Sequence, residues 1–372
     1  MRYIHHLATW PHFTWDTGDM ELVTLLGLVR NMQGKLIGKM EGLGFALQQE
    51  AFLENMTLDV LKSTEIEGEL LNPEQVRSSI ARRLGMDISG LVDSDRNTDG
   101  VVEMMLDATQ KYTDPLTQDR LFDWHAALFP TGRSGMFKIV VGDWRTDVTG
   151  PMQVVSEAMG RENIHFEAPA AQRLAVEMQV FLDWFNGVNG LDPVIKAGIA
   201  HLWFVTLHPF DDGNGRIARA IADMQLARAD TINQRFYSMS AQIQIKRKQY
   251  YQILEDTQKG DLDISNWLIW FLNCLKDAFL TTDTILERVL VKARFWDNHR
   301  ATAINERQRL LLNKLMDGFE GKLTSSKWAK IAKCSPDTAL RDIQDLQQKN
   351  MLQKEDAGGR STSYLLNWAQ SI

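Results

Sequence analysis

The sequence has little cysteine and no long apolar run. Cys274 and Cys334 lie far apart, and neither belongs to a Cys-x-x-Cys or Cys/His cluster, which excludes a disulfide framework and a cysteine-based zinc site. The longest apolar stretches fall short of the roughly 18 residues that cross a bilayer, and the N-terminal segment lacks the basic and apolar regions of a secretion signal. We therefore expect a cytoplasmic protein with no membrane partner.

An excess of positive charge is also lacking. The 372 residues contain 41 Lys plus Arg against 48 Asp plus Glu, a net charge of -7, so the whole molecule has no electrostatic attraction to nucleic acid or anionic lipid. The charge is uneven, because residues 301–372 hold 11 Lys plus Arg and 8 Asp plus Glu, which leaves -10 for residues 1–300. The mildly basic end of the chain keeps DNA open as a partner.

Hydrophobic periodicity predicts a mainly α protein of three regions. Apolar residues recur at three- and four-residue spacing through most of the chain, the pattern of amphipathic helices. The stretch from Pro193 to Leu207 is apolar almost all round, which predicts a central, buried helix. Between the helices, alternating segments at about residues 152–166 predict a β-hairpin, with its loop from Ser156 to Asn163. We divide the chain into an N-terminal helical region, a central core and a C-terminal domain: 1–100, 101–300 and 301–372.

The C-terminal domain has the element order of a winged helix. Three short helices, Gln308 to Met316, Ser325 to Ala332 and Ser335 to Asn350, precede a Gly358-Gly359 turn and a strand from Ser361 to Leu366, as in helix-turn-helix folds with a β-wing. In this fold the third helix is the one expected to contact DNA bases. The charges along it sum to -1, whereas contacts with DNA phosphates require Lys and Arg. We therefore favour a protein-interaction or dimerisation role over DNA binding. The charged residues counted are Asp337, Arg341, Asp342, Asp345 and Lys349.

The segment from His208 to Arg219, HPFDDGNGRIAR, concentrates residues that suit phosphate chemistry. Its Gly213-Asn214-Gly215 turn opens a helix, which predicts an anion-binding concavity at a helix N-terminus. Arg216 and Arg219 share one face of that helix and can reach polyphosphate oxygens. The predicted anion is therefore a phosphate group.

Other side chains of the same segment suit catalysis and anchoring. His208 has the pKa range of a general base, and Asp212 offers a hard oxygen ligand for Mg²⁺. Phe210 is expected to anchor the loop in the core, and Asp211 to be a solvated neighbour rather than a second metal ligand. A two-metal phosphodiesterase built on His208, Asp211 and Asp212 is disfavoured, because the further ligands of a second metal are missing.

The string matches every fixed position of the Fic family signature, His-x-Phe-x-(Asp/Glu)-Gly-Asn-Gly-Arg-x-x-Arg. Lys62 to Leu84 also resembles the N-terminal segment of a large bacterial subgroup of that family, and the hairpin falls where the family has a target-positioning flap. The resemblance implies a Fic-type helical core, residues 101–300, with the flap at about 152–166. With the winged helix it covers most of the chain.

The resemblance implies transfer of AMP from ATP to a Ser, Thr or Tyr hydroxyl of a protein. By that similarity His208 is the general base, Asp212 holds Mg²⁺, and Gly213, Asn214 and Gly215 cradle phosphate. Arg216 and Arg219 would neutralise the outer phosphates. Since kinase-like members carry Lys at the place of Gly215, glycine there favours AMP transfer over phosphorylation. The partners implied are ATP and a target protein, which includes this protein itself, with a homodimer allowed.

A second motif lies in the N-terminal region. Ser63-Thr-Glu-Ile-Glu67-Gly68 matches the inhibitory pattern of the family, (Ser/Thr)-x-x-x-Glu-(Gly/Asn), at the end of a helix expected at about 51–68. Ser63 and Glu67 are four residues apart and so share a face. The resemblance implies that Glu67 pairs with Arg219 and keeps ATP from binding productively.

Three points stay open from the sequence. In some relatives the same glutamate positions a water that hydrolyses the AMP-protein bond, so Glu67 could serve a de-AMPylating hydrolase. The winged helix also allows a nucleotide-sensing DNA-binding regulator. Tyr250 and Tyr251, on the helix after the motif helix, are candidates to flank the adenine, although aromatic residues at helical spacing also suit a core.

Overall fold

The computed structural model describes residues 2–86, 88, 90–148, 150–158, 161–317, 319, 321–355 and 362–368. These residues form fourteen α-helices, one short 3₁₀ helix and three two-stranded antiparallel sheets, so the mainly α prediction is confirmed. Within them, no helix is both long and apolar enough to cross a bilayer. The α-helices are α1 Met20–Glu41, α2 Phe45–Ile66, α3 Pro73–Arg83, α4 Arg96–Gln110, α5 Gln118–Leu128, α6 Ala171–Asn186, α7 Pro193–Leu207, α8 Asn214–Asp230, α9 Met239–Ile245, α10 Arg247–Lys259, α11 Ser265–Asn298, α12 Glu306–Met316, α13 Ser325–Ile331 and α14 Pro336–Gln348.

The chain divides into two compact units. The first comprises Met1–Met86 and Val92–Asp283, and the second comprises Asp87–Leu91 and Thr284–Ile372. The sequence-based borders, after residues 100 and 300, follow changes in local pattern. The division between the units falls after Asp283, inside α11. This helix continues to Asn298 without a break, so no sequence pattern marks the border.

Helices α7 and α8 form the centre of the first unit. Every residue of α7 from Val194 to Leu207 is buried, which confirms the prediction of a central helix. Asp192 caps its start and Pro193 occupies its first position, where a missing N–H costs nothing. Helix α8 packs along α7, and α4 and α5 also contact α8. The turn between α7 and α8 is thereby held from several sides.

Helix α2 carries the second motif and ends at it. It starts at Phe45 rather than near residue 51, because Gly44 provides its N-terminal boundary and the first turn lies at the surface. It contacts α3, α9 and α8. Its C-cap is Glu67, followed by Gly68 at φ +89°, a conformation that suits glycine. The chain therefore turns sharply directly after the Glu67 carboxylate.

Two of the hairpins belong to the first unit. Strands β1 Arg133–Ser134 and β2 Phe137–Lys138 form a small one, and β3 Gln153–Ala158 and β4 Arg161–Glu167 form the predicted flap. The flap strands extend through most of the segment expected to be loop, because cross-strand pairing continues from Ser156 opposite Asn163 to the ends of both strands. Residues 159 and 160 lie outside the described part of the chain.

The second unit contains α12, α13 and α14, followed by β5 Leu352–Lys354 and β6 Tyr364–Leu366. These helices agree with the predicted ones to within two residues at each end. Their inner faces pack around Trp328, with Leu312 and Ile343 buried beside it. The predicted Gly358-Gly359 turn, like Ser361, lies outside the described residues.

Candidate functional site

The loop between α7 and α8 is shaped by two residues in the left-handed region. His208, the C-cap of α7, has φ 49°, and Gly213, the N-cap of α8, has φ 81°. A Cβ at residue 213 would also press on the ring of Phe129, so both backbone angle and space require glycine. The two turns bring His208 and the start of α8 to one side of the loop.

Phe210 anchors the loop, as predicted. It is fully buried and stacks on the ring of His125 with centroids 4.1 Å apart. The side chain of Asn214 closes the same turn, since its Oδ1 accepts from the Phe210 amide at 3.0 Å and its Nδ2 donates to the Phe210 carbonyl at 2.8 Å. The Asn214 side chain is thus occupied, and its backbone amide is the group that can face a phosphate.

The first turn of α8 presents its backbone amides toward this loop. The helix begins at Asn214, and its first backbone bond runs from Ile217 to the Gly213 carbonyl. The amides of Asn214, Gly215 and Arg216 therefore have no acceptor inside the helix. Together with the partial positive charge of the helix N-terminus, they form a cradle for an anion.

His208 is a neutral imidazole with one nitrogen available. Burial lowers its pKa from 6.5 to about 4, and the nearby guanidinium of Arg145 acts in the same direction. Nδ1 lies 3.2 Å from the Val205 carbonyl, and since a carbonyl only accepts, Nδ1 carries the proton. Nε2 then keeps its lone pair and can take a proton at neutral pH.

Asp212 and Asp211 point to different partners. Asp212 accepts from the Gly213 amide at 2.5 Å and from the hydroxyl of Ser134. Asp211 accepts from the Val140 amide at 2.8 Å and is half-buried. The expectation that Asp211 is merely a solvated neighbour is therefore wrong, because it fixes the segment after β2 to the loop.

The donor set around the loop suits Mg²⁺ held jointly with phosphate. No cluster of three metal-ligating side chains occurs among the described residues, so an all-protein cage is not available in this part of the chain. Mg²⁺ is commonly bound by one or two carboxylates plus substrate phosphates and water. The Asp212 carboxylate, next to the amide cradle, fits that mode.

Arg145 is a positioning residue that the sequence did not reveal. Its buried guanidinium donates to the His208 carbonyl at 2.7 Å and to the Pro169 carbonyl at 2.5 Å, and pairs with Asp147 at 2.7 Å. Its backbone amide donates to the Pro209 carbonyl at 2.9 Å. These bonds together hold the loop at His208, yet Arg145 lies in no recognisable motif.

Arg219 is buried and already engaged. Its side chain is 2% exposed, its Nη2 lies 2.7 Å from Glu67 Oε1, and it also contacts Ser63 through Nε–Oγ at 2.9 Å and Nη2–O at 2.8 Å. The predicted ion pair is therefore present, and Ser63 lies on the same face as Glu67. The negative charge of Glu67 keeps the pKa of Arg219 above its usual value despite burial.

Arg216 has a carboxylate partner that the sequence did not reveal. Its side chain is 3% exposed, its Nη1 lies 3.2 Å from Glu69 Oε2, and its guanidinium stacks over Phe129. Glu69 is two residues beyond Glu67, across the turn at Gly68, so one short segment reaches both arginines. The available sequence signal was an acidic residue directly after the inhibitory pattern.

Both arginines retain unused donors. Among the buried side-chain atoms of the described residues, Arg216 Nε and Arg219 Nη1 lack a hydrogen-bond partner. A buried N–H without an acceptor is costly, at roughly 1–3 kcal/mol. An anion with several oxygens would satisfy both.

Gly215 allows the Glu67 carboxylate to approach the loop. A Cβ at residue 215 would overlap Glu67 Oε1 and contact Arg219 Nη1 at 3.3 Å. Residue 215 lies in the first turn of α8, where any side chain could adopt the helical backbone. Glycine is therefore required here by the carboxylate rather than by the backbone.

The two tyrosines differ in accessibility. Tyr250 is 1% exposed and its hydroxyl lies 2.9 Å from His201 Nε2, so its ring belongs to the core of this structure. Tyr251 is 40% exposed and donates to the Ile66 carbonyl at 3.3 Å. Of the two, only Tyr251 presents ring surface that a ligand could cover.

Two family models match the chain. The Fic/DOC family matches residues 115–226, which contain α5 to α7, most of α8 and the loop described above. A domain of unknown function, DUF4172, matches residues 3–86, which contain α1 to α3 and the segment with Glu67 and Glu69. The loop and the segment that contacts it thus fall in separately recognised regions.

Curated relatives share part of the chain. It is 38% identical over 96 residues to the "Protein adenylyltransferase Fic" of Drosophila mojavensis, covering 25% of this chain and 18% of that protein. It is 33% identical over 122 residues to the Nematostella vectensis protein of that name, covering 32% and 27%. With fic-1 of Caenorhabditis elegans the identity is 28% over 211 residues, covering 56% and 38%. The chain thus spans less than two fifths of the length of each of these relatives.

A solved structure shares the fold. A Fic family protein from Desulfovibrio desulfuricans G20 superposes with a TM-score of 0.52 at 19% identity, over 93% of this chain and 96% of that one. The likeness extends over most of both chains and concerns the fold alone. The chain thus contains a Fic/DOC domain over residues 115–226, which includes the complete signature between α7 and α8.

Proposed function

We propose that this protein transfers AMP from ATP to a Ser, Thr or Tyr hydroxyl of a target protein, itself included, and releases pyrophosphate. The observation that carries the proposal is the arrangement at the α7–α8 loop: a neutral His208 with Nε2 available, next to a helix N-terminus and two buried arginines with unused N–H groups. The curated relatives, each named a protein adenylyltransferase, support the same reaction.

The transfer step needs a base and a leaving group. The target hydroxyl oxygen attacks the α-phosphorus of ATP while His208 Nε2 takes the hydroxyl proton, and the bond from the α-phosphorus to the bridging oxygen of the β-phosphate breaks. Pyrophosphate leaves with that electron pair. Because positioning and charge stabilisation supply most of the rate in such transfers, the fixed loop matters as much as the base.

The phosphates would be held by groups of α8 and its loop. The free amides in the first turn of α8 suit oxygens near the reacting phosphorus, and the side chains of Arg216 and Arg219 suit the β- and γ-phosphates. Mg²⁺ at this place would supply positive charge that offsets the negative charge of the phosphates. The role of Asp212 is to offer that ion a carboxylate oxygen, oriented by Ser134 and the Gly213 amide.

The flap is the proposed support for the target. Its base is anchored, since Phe166 packs edge-on against Tyr3 and His165 Nδ1 lies 2.7 Å from Glu255 Oε2 on α10. An extended target segment could pair with the edge of the flap and so place a hydroxyl before His208. Backbone pairing makes this contact tolerant of target sequence.

The resting enzyme is proposed to be inhibited by the segment after α2. Glu67 occupies Arg219 and Glu69 occupies Arg216, so both cations meant for the outer phosphates face carboxylates. ATP would have to displace Glu67 from its 2.7 Å contact with the buried Arg219 before its γ-phosphate could reach that guanidinium. Inhibition is then a competition between carboxylate and phosphate for the same guanidinium groups.

A second candidate reaction is hydrolysis of an AMP-protein bond with Glu67 as the base. Its carboxylate lies against the loop at Gly215. Its negative charge partly opposes the lowering of the His208 pKa by burial. Replacing Glu67 would abolish hydrolysis, whereas it would increase transfer. The two reactions therefore respond in opposite directions to one substitution.

The test of the reaction class is the intact mass of Glu67→Gly protein after incubation with ATP and Mg²⁺. We expect a mass gain equal to one AMP group, which is lost in the Glu67→Gly, His208→Ala double variant. A gain equal to a phosphate group, or a gain that survives the His208 substitution, would contradict AMP transfer by this loop. Release of AMP from premodified protein by the wild type but not by Glu67→Gln would favour the hydrolase.

A further inference from the structure

We infer that the second compact unit binds duplex DNA through the outward face of α14, with the turn between α13 and α14 on the phosphate backbone. This function is separate from the proposed AMP transfer and does not depend on it. It rests on which charged residues of α14 have partners within the unit and which are exposed. It also rests on the exposed basic side chains near the turn between α13 and α14.

Two of the three acidic residues that argued against DNA binding are engaged by partners within the unit. Asp342 is 5% exposed and accepts from Arg307 at 2.9 and 3.1 Å and from Asn305 at 3.1 Å. Asp345 accepts from Gln308 at 2.7 Å and from Lys349 at 2.5 Å. The net charge of -1 counted along the helix is therefore a wrong guide to its exposed face, because these two carboxylates hold α14 against α12.

The outward stripe of α14 is polar and suited to base edges. Asp337, Arg341, Gln344 and Gln348 are all exposed and recur at four-, three- and four-residue spacing, which places them on one side of the helix. Arginine pairs with guanine and glutamine with adenine through two hydrogen bonds in the major groove, and aspartate can accept from cytosine. The stripe is thus composed of side chains used for direct readout.

Basic side chains lie where the backbone of DNA would pass. In helix-turn-helix proteins the second helix enters the major groove and neighbouring elements contact phosphate. Lys330 and Lys333, at the end of α13 and in the following turn, are exposed, and no carboxylate of the described residues lies within ion-pair distance of either. Arg341 is likewise outside the ion pairs formed in this part of the chain.

The charge of the unit agrees with a polyanionic partner. Its residues, 87–91 and 284–372, contain 15 Lys plus Arg and 11 Asp plus Glu, a net charge of +4, while the rest of the chain carries -11. A non-specific attraction to DNA therefore resides in this unit even though the whole chain is acidic.

A protein partner is disfavoured by the composition of the same face. Protein interfaces have a core enriched in aromatic residues and methionine. The outward stripe of α14 has none, and its one apolar contribution is Leu340, which is 37% exposed. A single apolar side chain suits a thymine methyl group better than the buried centre of a protein interface.

The test is fluorescence anisotropy of the full chain with a labelled pool of random 30-bp duplexes, without ATP, over a range of salt concentrations. We expect salt-dependent binding by the wild type. The Lys330→Glu, Lys333→Glu variant should bind at least about tenfold more weakly. Its salt slope should fall by about two, because each of the two lysines would neutralise one DNA phosphate in the wild type.

The matched control reverses the same charge in the first unit. Lys35 and Lys248 are exposed there, so Lys35→Glu, Lys248→Glu changes net charge equally and should leave DNA affinity unchanged. Arg341→Ala is expected to reduce discrimination among sequences recovered from the pool, with less effect on the salt slope. Absence of salt-dependent binding by the wild type, or equal loss in both lysine pairs, would overturn the inference and favour a protein partner. Circular dichroism confirms that each variant is folded.

Discussion

Glu67 Oε1 lies 2.7 Å from Arg219 Nη2, in a pocket where the arginine is almost completely buried. Glu67 is the C-cap of α2 and Arg219 belongs to the second turn of α8, so the contact joins the end of one helix to the phosphate-binding end of another. Any group that needs Arg219 must first compete with this carboxylate. That competition and the burial of the nearby histidines determine how the protein should respond to substitution and to pH.

Replacing Glu69 should release part of the inhibition. The Glu69 side chain is 56% exposed, and an exposed ion pair contributes at most about 1 kcal/mol. We expect Glu69→Gln to raise the rate of AMP transfer by no more than about fivefold, less than Glu67→Gly, as measured by incorporation of label from ATP.

The matched control for Glu69 is Glu65→Gln. Glu65 is on the same helix end, but it pairs with Lys62 and Gln244 rather than with an arginine of α8. Its replacement should leave transfer unchanged. Equal activation by both substitutions would show that general loosening of the segment, and not the contact with Arg216, accounts for any increase.

Gly215→Ala should activate the wild type by displacing Glu67. The added Cβ overlaps Oε1, so the carboxylate has to move away from Arg219, while alanine itself favours the helix by about 0.5–1 kcal/mol. Label incorporation should rise in the wild-type background and not in Glu67→Gly. A decrease in both backgrounds would mean that the methyl group obstructs ATP instead.

Transfer by the Glu67→Gly variant should be insensitive to mild acid. Because burial lowers the pKa of His208 to about 4, the imidazole stays neutral well below the ordinary value, and a base must be neutral to accept a proton. The initial rate at low ATP concentration should change less than twofold from pH 8 to pH 6. A histidine of ordinary pKa would lose about fourfold over that range, and such a loss would contradict the assigned environment.

Mild acid should, in contrast, reduce the stability of the fold. Burial lowers the pKa of His201 to about 3, below its value in the unfolded chain, so between about pH 6.5 and 3 only the unfolded chain binds the proton. Its contribution is complete above the unfolded pKa and declines as pH falls. By pH 5 the loss in the free energy of unfolding amounts to about 1–2 kcal/mol for one histidine.

Chemical denaturation at pH 7 and pH 5 measures this loss. His201→Gln should lower stability at pH 7, because a buried interaction with Tyr250 changes, yet the difference between the two pH values should shrink by about 1–2 kcal/mol. His12 is exposed, so His12→Gln serves as the control and should leave the difference unaltered. An unchanged difference in His201→Gln would refute the assignment.

Much of the architecture could be predicted from local pattern. The apolar repeat of α7, the cap and proline at its start, and the three helices of the second unit are properties of neighbouring residues, so the sequence was sufficient. The length of α2 and the division within α11 were not predictable, because a first turn exposed at the surface and an unbroken helix give no signal. The extent of the flap strands depended on cross-strand pairing, which no single segment contains.

The candidate site divides in the same way. His208, Asp212, Gly213 and the arginines stand in one continuous string, and the string itself identified them. Arg145, Asp211 and Glu69 act through contacts with residues distant in the sequence, and such contacts have no periodicity or spacing to detect. The inward turn of Asp342 was missed for the same reason, since its partner Arg307 lies on another helix.

The most direct measurement of the central claim is a pair of parallel reactions with ATP labelled at the α- or the γ-phosphate. The proteins compared are the wild type, Glu67→Gly, and Glu67→Gly with His208→Ala. The account predicts protein-bound label from the α position only, strong for Glu67→Gly, weak for the wild type and absent from the double variant. Label from the γ position, or equal α labelling of the wild type and Glu67→Gly, would contradict it.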